Sequence, residues 1–218
     1  MRFFSLDSPI FKFLSLVYDL IILNLLYVIT CLPVLTIGAA TSALYRTVLD
    51  MRYERDAGAK AYLRNFKNNL RQSTPRYLLF VLISAVLCFD IWFTQNSELH
   101  FPAFMVPLFL ALLTVCLALS SWVLALTGQF DNTTKGTVKN AAILAPRHLM
   151  TTILLLLRFV PLLLFLFHTG FFLITAILYF LIYYSAAAYL CAMPMSRLFL
   201  DLMTPEEAAK RNGGPEDE

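Results

Sequence analysis

Charge is what this sequence has least of. Only 14% of its 218 residues are Asp, Glu, Lys or Arg, while 59% are hydrophobic; a soluble domain carries about 25% and about 45–50%. With a mean hydropathy of +0.71, a water-soluble fold of this size could not hide so much apolar surface, and the bilayer is the natural solvent. Cysteine is scarce too. Cys31, Cys88, Cys116 and Cys191 each lie in an apolar run. No CxxC or zinc spacing occurs, so they read as small packing side chains rather than redox or metal groups. His100, His148 and His168 stand at the ends of apolar runs and share no helix face, which argues against a metal site. Ser-His-Asp, HExxH, P-loop and GxGxxG patterns are missing. With no nucleophile, base or phosphate cradle, no catalytic residue, metal or cofactor is expected, and the chain reads as a non-enzyme.

What the sequence does have is long apolar runs. A spanning helix needs about 20 mainly apolar residues. Four segments meet that plainly: about Arg76–Gln95, Phe101–Leu126, Leu149–Phe167 and Phe171–Met193. The breaks between them differ in charge. Arg46, Arg52, Arg55, Lys60, Arg64, Lys67, Arg71 and Arg76 crowd one stretch, Lys135, Lys139 and Arg147 another, and Arg197, Lys210 and Arg211 the C-terminal part, whereas 96–100 and 168–170 hold no Lys or Arg. Basic loops mark the cytoplasmic side, so basic and bare breaks alternate as inside and outside.

The N-terminal run from Phe13 to Leu35 is far longer than the roughly 7–15 apolar residues of a signal peptide, so it reads as a retained anchor. From Val17 to Leu49 the chain stays mostly apolar, but Pro33 and Gly38 interrupt it. Asp7-Ser8-Pro9 makes a good helix start. A helix from Pro9 to about Cys31 can then cross the membrane, Pro33 and Gly38 can form an outer turn, and a second helix can return from about Thr36 to near Arg52. The expected fold is therefore all-α: a polytopic transmembrane bundle of six helices with both termini cytoplasmic, at the plasma membrane. Five spans with one kinked first helix is the alternative, since membrane helices tolerate Pro. The second helix is rich in small residues, which allow close approach in lipid, so it is expected to lie inside the bundle.

Residues 1–203 read as one transmembrane domain, and the polar tail 204–218 as disordered. Ala59–Leu79 reads as a basic amphipathic helix at the inner membrane surface that leads into a span, within a basic cytoplasmic segment at about 54–75. Tyr62, Leu63, Phe66 and Leu70 form its apolar side, and Arg64, Lys67, Arg71 and Arg76 are among its cations. Beside spans, such cations match anionic lipid better than nucleic acid. Lys67-Asn68 with Pro75-Arg76 echoes Lys139-Asn140 with Pro146-Arg147, a hint of two related halves.

Asp19, Asp90 and Arg158 fall inside spans, where a charge costs about 2.5–3.5 kcal/mol and seeks a partner. Arg158 with Asp19, or else with Asp90, could be a structural ion pair, or the three could line a polar path. Tyr18, Asn24, Tyr27 and Tyr45 form the one tempting polar cluster beside them.

The phrase Asn24-Leu25-Leu26, Leu32-Pro33, Thr36-Ile37-Gly38, Thr41-Ser42-Ala43-Leu44-Tyr45 is followed by Phe66-Lys67-Asn68-Asn69, Phe130-Asp131-Asn132-Thr133 and Lys139-Asn140-Ala141. This order resembles the YesL family of bacterial integral membrane proteins, a domain of unknown function, over roughly residues 10 to 200. Ala39 departs from the Pro expected after that Gly. The resemblance carries over no functional residue. It implies a link to carbohydrate uptake, with an ABC sugar permease as the expected partner beside the lipid bilayer. On that reading the chain is an accessory subunit; the alternative is a small transporter or channel in its own right.

Overall fold

The structure is a computed structural model that describes residues 9–53, 55, 57–97, 101–160 and 179–202. The described residues are all helical, with no strand. Seven α-helices appear: α1 (Pro9–Cys31), α2 (Ile37–Arg52), α3 (Ala59–Asn96), α4 (Met105–Gln129), α5 (Thr134–Arg147), α6 (Leu149–Leu156) and α7 (Tyr184–Leu202). Short 3-10 turns cover Val34–Thr36 and Leu157–Phe159, and a π turn covers Tyr179–Tyr183. His100, His168 and the tail 204–218 lie outside the described residues, as do parts of the two expected C-terminal spans.

Among the described residues, three helices are long and apolar enough to cross a membrane: Phe11–Cys31, Ala59–Asn96 and Met105–Gln129. A fourth candidate is α5 with Leu149–Phe159, bent by 106° at the break. α2 is short for a span. Its 16 residues extend about 24 Å, less than the roughly 30 Å of a hydrocarbon core.

The turn between α1 and α2 is tighter than the sequence suggested. Pro33 precedes the 3-10 turn, and Thr36 Oγ1 donates to the carbonyls of Thr30 (2.6 Å) and Pro33 (2.7 Å). These bonds cover carbonyls that a helix end leaves bare. Gly38 is not part of this turn. It lies inside α2 and is buried against α3, where an added Cβ would come within 2.3 Å of Tyr77 Cβ. Its small size serves helix packing, not chain reversal.

α2 is the centre of the bundle. Every residue from Gly38 to Tyr45 is buried, and α3, α4, α7 and α1 all pack around it. In lipid the association of helices rests on close packing rather than on the hydrophobic effect, and Ala39, Ala40, Ser42 and Ala43 let the neighbours approach. Gly128 near the end of α4 gives the second close approach, since a Cβ there would meet the Ser42 carbonyl oxygen at 2.5 Å.

α3 corrects the expected layout most. The basic segment is no separate surface helix. One continuous helix of 38 residues runs from Ala59 through Pro75 to Asn96. Its apolar C-terminal half pairs with α4 but stays open outward: only 6% of its most apolar window is buried, and Leu82, Val86, Phe89 and Trp92 are exposed. The two Lys-Asn…Pro-Arg phrases also differ in form. The first passes through Pro75 within one helix, while the second ends at a sharp bend. Trp122 stitches that bend by donating from Nε1 to Thr152 Oγ1 (2.9 Å), which donates to the Ala145 carbonyl (2.8 Å).

Candidate functional site

Two buried polar regions flank α2. The first is a seam along the N-terminal half of α3. Asn65, Asn69, Ser73 and Arg76 recur at helical spacing, and all four are buried. Leu63, on the apolar side read from the sequence, is 42% exposed. Tyr62, from that same side, is fully buried with Ala61; from Asn65 to Arg76 the buried stripe is polar, and the exposed face carries Arg64, Lys67 and Arg71. Asn65 Nδ2 donates to Thr47 Oγ1 (3.1 Å), and Ser73 Oγ donates to Ser42 Oγ (2.9 Å). With Gly38 against Tyr77, these pairs run antiparallel along α2 and α3.

Arg76 closes the seam. It was expected at the inner surface with the other cations, yet it is only 2% exposed. Thr127 Oγ1 gives its proton to the Val123 carbonyl (2.6 Å), so it accepts from Arg76 Nη1 (2.7 Å). Arg76 Nη2 donates to the Asn132 carbonyl, and Nε to Thr134 Oγ1 (3.4 Å). Gln72 Nε2 reaches the same Asn132 carbonyl (3.0 Å), and Arg46 Nη1 donates to the Gly128 carbonyl (3.3 Å). One guanidinium therefore holds the end of α4, the 130–133 loop and the start of α5 against α3. This is a structural clamp, and its planar fork suits three divergent acceptors.

The second region surrounds Arg158. This residue lies in the 3-10 turn after α6, which is tied to the π turn by Tyr183 Oη donating to the Leu157 carbonyl (2.7 Å). Arg158 lines a small cavity with Tyr27, Thr41, Tyr45, Tyr184 and Cys191. Thr41 Oγ1 donates to the Ile37 carbonyl (2.7 Å), so Tyr27 Oη is the donor in its 3.3 Å contact with Thr41. The guanidinium stacks over the Phe159 ring at 4.5 Å and borders the Tyr45 hydroxyl. Its Nη1 is buried with no hydrogen-bond partner among the described residues.

The acidic candidates do not join it. Among the described residues the ion pair within 4.0 Å is Asp50–Arg55 (3.9 Å); neither Asp19 nor Asp90 pairs with Arg158. Of the tempting polar cluster, Tyr27 and Tyr45 do meet at the cavity. Tyr18 is exposed. Asn24 is buried elsewhere, where its Oδ1 accepts from the Ser185 backbone N–H (3.0 Å). That bond follows directly on the π turn, which displaces the ordinary helical acceptor. Ser185 Oγ also donates to the Leu20 carbonyl (2.7 Å), locking α7 to α1.

Sequence reasoning missed Asn65, Ser73, Thr127, Asn132 and Tyr184. The spacing of Asn65, Asn69, Ser73 and Arg76 puts them on one helix face, but nothing in it says that this face is the buried one. No local pattern pointed to Thr127 or Tyr184, which enter from distant elements. No group of three or more His, Cys, Asp or Glu residues that could hold a metal occurs among the described residues.

A family model described as "protein of unknown function, DUF624" matches residues 20–91, about a third of the chain. The matched part holds the turn, α2 and the seam up to Arg76, and leaves out Thr127, Asn132 and Arg158. No curated protein and no solved structure matches the chain.

Proposed function

We propose that the chain is a multi-pass plasma-membrane protein with six transmembrane helices and cytoplasmic termini, and that it serves as a non-catalytic partner of an ABC-type carbohydrate importer. The orientation rests on the alternation of basic and bare breaks. The carbohydrate link rests on the resemblance to the YesL family. The observation that carries the accessory role is the small size of the cavity that Arg158 reaches. This tyrosine-lined cavity measures about 10 Å³, room for a single water, and a sugar ring is many times larger. The apolar half of α3, by contrast, presents a long outward face to lipid or to a partner's helices.

A tagged pull-down from native membranes in mild detergent tests this, with partners identified by mass spectrometry. The expected outcome is recovery of an importer permease in stoichiometric amount. Recovery of the protein alone would sink the accessory reading. The second reading, a transport path of its own, draws on Arg158 reaching the cavity; sugar uptake by proteoliposomes holding this protein alone would establish it.

A further inference from the structure

We infer that the cavity between α1, α2, α7 and the Arg158 turn is a binding site for one small monoatomic anion of the chloride class. Arg158 brings a full positive charge into an apolar bundle, where such a charge needs a counter-charge. No carboxylate among the described residues supplies it. Asp19 and Asp90 make no ion pair with it, and the sequence from Phe159 to Leu200 contains no Asp or Glu at all. The guanidinium Nη1 is buried without a hydrogen-bond partner among the described residues. It lines the same cavity as Tyr45, whose hydroxyl oxygen borders the guanidinium and whose O–H can turn to donate to an anion. Among the described residues the rest of the wall besides the tyrosines is Thr41, whose proton goes to the Ile37 carbonyl, with Cys191, Leu44, Ala187 and Ala188.

Size then selects the ligand. At about 10 Å³ the cavity takes a water-sized guest. Chloride is larger than water, so the lining must give by a few tenths of an ångström to hold it; sulfate, phosphate and carboxylates are larger still and exceed the cavity. Charge selects an anion over water, because the guanidinium interaction is strong where the dielectric is low. The site does not depend on the proposed partnership with an importer.

The test is thermal unfolding of the full chain in detergent at fixed ionic strength and pH, with gluconate replaced stepwise by chloride. A ligand held only by the folded state raises the melting temperature by mass action. The expected result is a saturable rise of about 3 °C that is reproduced by bromide, absent with sulfate and phosphate, and lost in Arg158→Gln. No rise, an equal rise with sulfate, or a rise that persists in Arg158→Gln would overturn the site. If Arg158→Gln does not fold, Tyr45→Phe takes its place. Whatever its melting point in gluconate, it should need several-fold more chloride for half of the rise; an unchanged midpoint would overturn the proposal.

Discussion

Arg76 and Arg158 show how differently one residue type behaves in the same bundle. Arg76 spends its donors on protein: Thr127, Asn132 and Thr134 surround it with acceptors, two of them on the segment that turns α4 into α5. A lysine keeps the charge but has no planar fork, so it cannot reach these acceptors together. Arg76→Lys is expected to lose about 2 kcal/mol of stability, from charged hydrogen bonds given up in a buried site. Unfolding midpoints in detergent measure this. Lys67→Gln, on the exposed face of the same helix, serves as the control and should stay close to the parent. Equal effects at the two positions would show that the clamp contributes nothing.

At the scale of elements, α2 governs the packing. Small residues replace the large ones that a soluble core would use, because lipid gives apolar side chains no reason to leave it and only intimate contact favours association. Gly128 marks the tightest point with backbone on the far side: an added methyl would face the Ser42 carbonyl at 2.5 Å. Neither helix can yield by turning a side chain. Gly128→Ala should therefore separate α4 from α2 and cost about 1–3 kcal/mol, as overpacking does. Thermal unfolding checks the cost. A stability equal to the parent would mean that the helices slide apart freely. The same element shows how a conspicuous residue can mislead. Gly38 looks like a turn residue because it follows Pro33 in an apolar run, but the turn is completed by Thr36 and the glycine belongs to a helix crossing.

At the scale of the whole molecule, burial divides the long helices. α3 is held on its N-terminal half by α2 and the 130–133 loop, while its apolar C-terminal half stands open outward. Cys88 lies on that open half and is exposed. In a membrane its thiol would face hydrocarbon, where the reactive thiolate is disfavoured. Charged, membrane-impermeant thiol reagents should thus leave Cys88 unmodified in sealed or opened vesicles. A cysteine placed at Lys67 should react from the aqueous phase. Ready labelling of Cys88 by the charged reagent would place that half of α3 in water and overturn the membrane reading of the helix.

The sequence by itself determined what kind of solvent this protein needs and where its first helix and turn lie. Those follow from composition, from the length of apolar runs and from Pro33, all of which act locally along the chain. Pro9–Cys31 appears with the bounds read from the sequence. Periodicity also marked a helix over Ala59–Leu79. It could not say which side of that helix is inside, because in lipid an apolar face does not have to be buried and a hydrogen-bonded polar stripe may be. Only the tertiary structure decided that Asn65, Ser73 and Arg76 face inward, that Gly38 and Gly128 receive α3 and α2, and that Arg158 meets tyrosines from three other segments instead of Asp19 or Asp90. These outcomes depend on groups up to more than a hundred residues away, such as Asn24 meeting Ser185. The physical reason is that a polar group buried in a membrane protein is governed by the acceptors and charges that the fold brings to it, and those have no local trace in the chain.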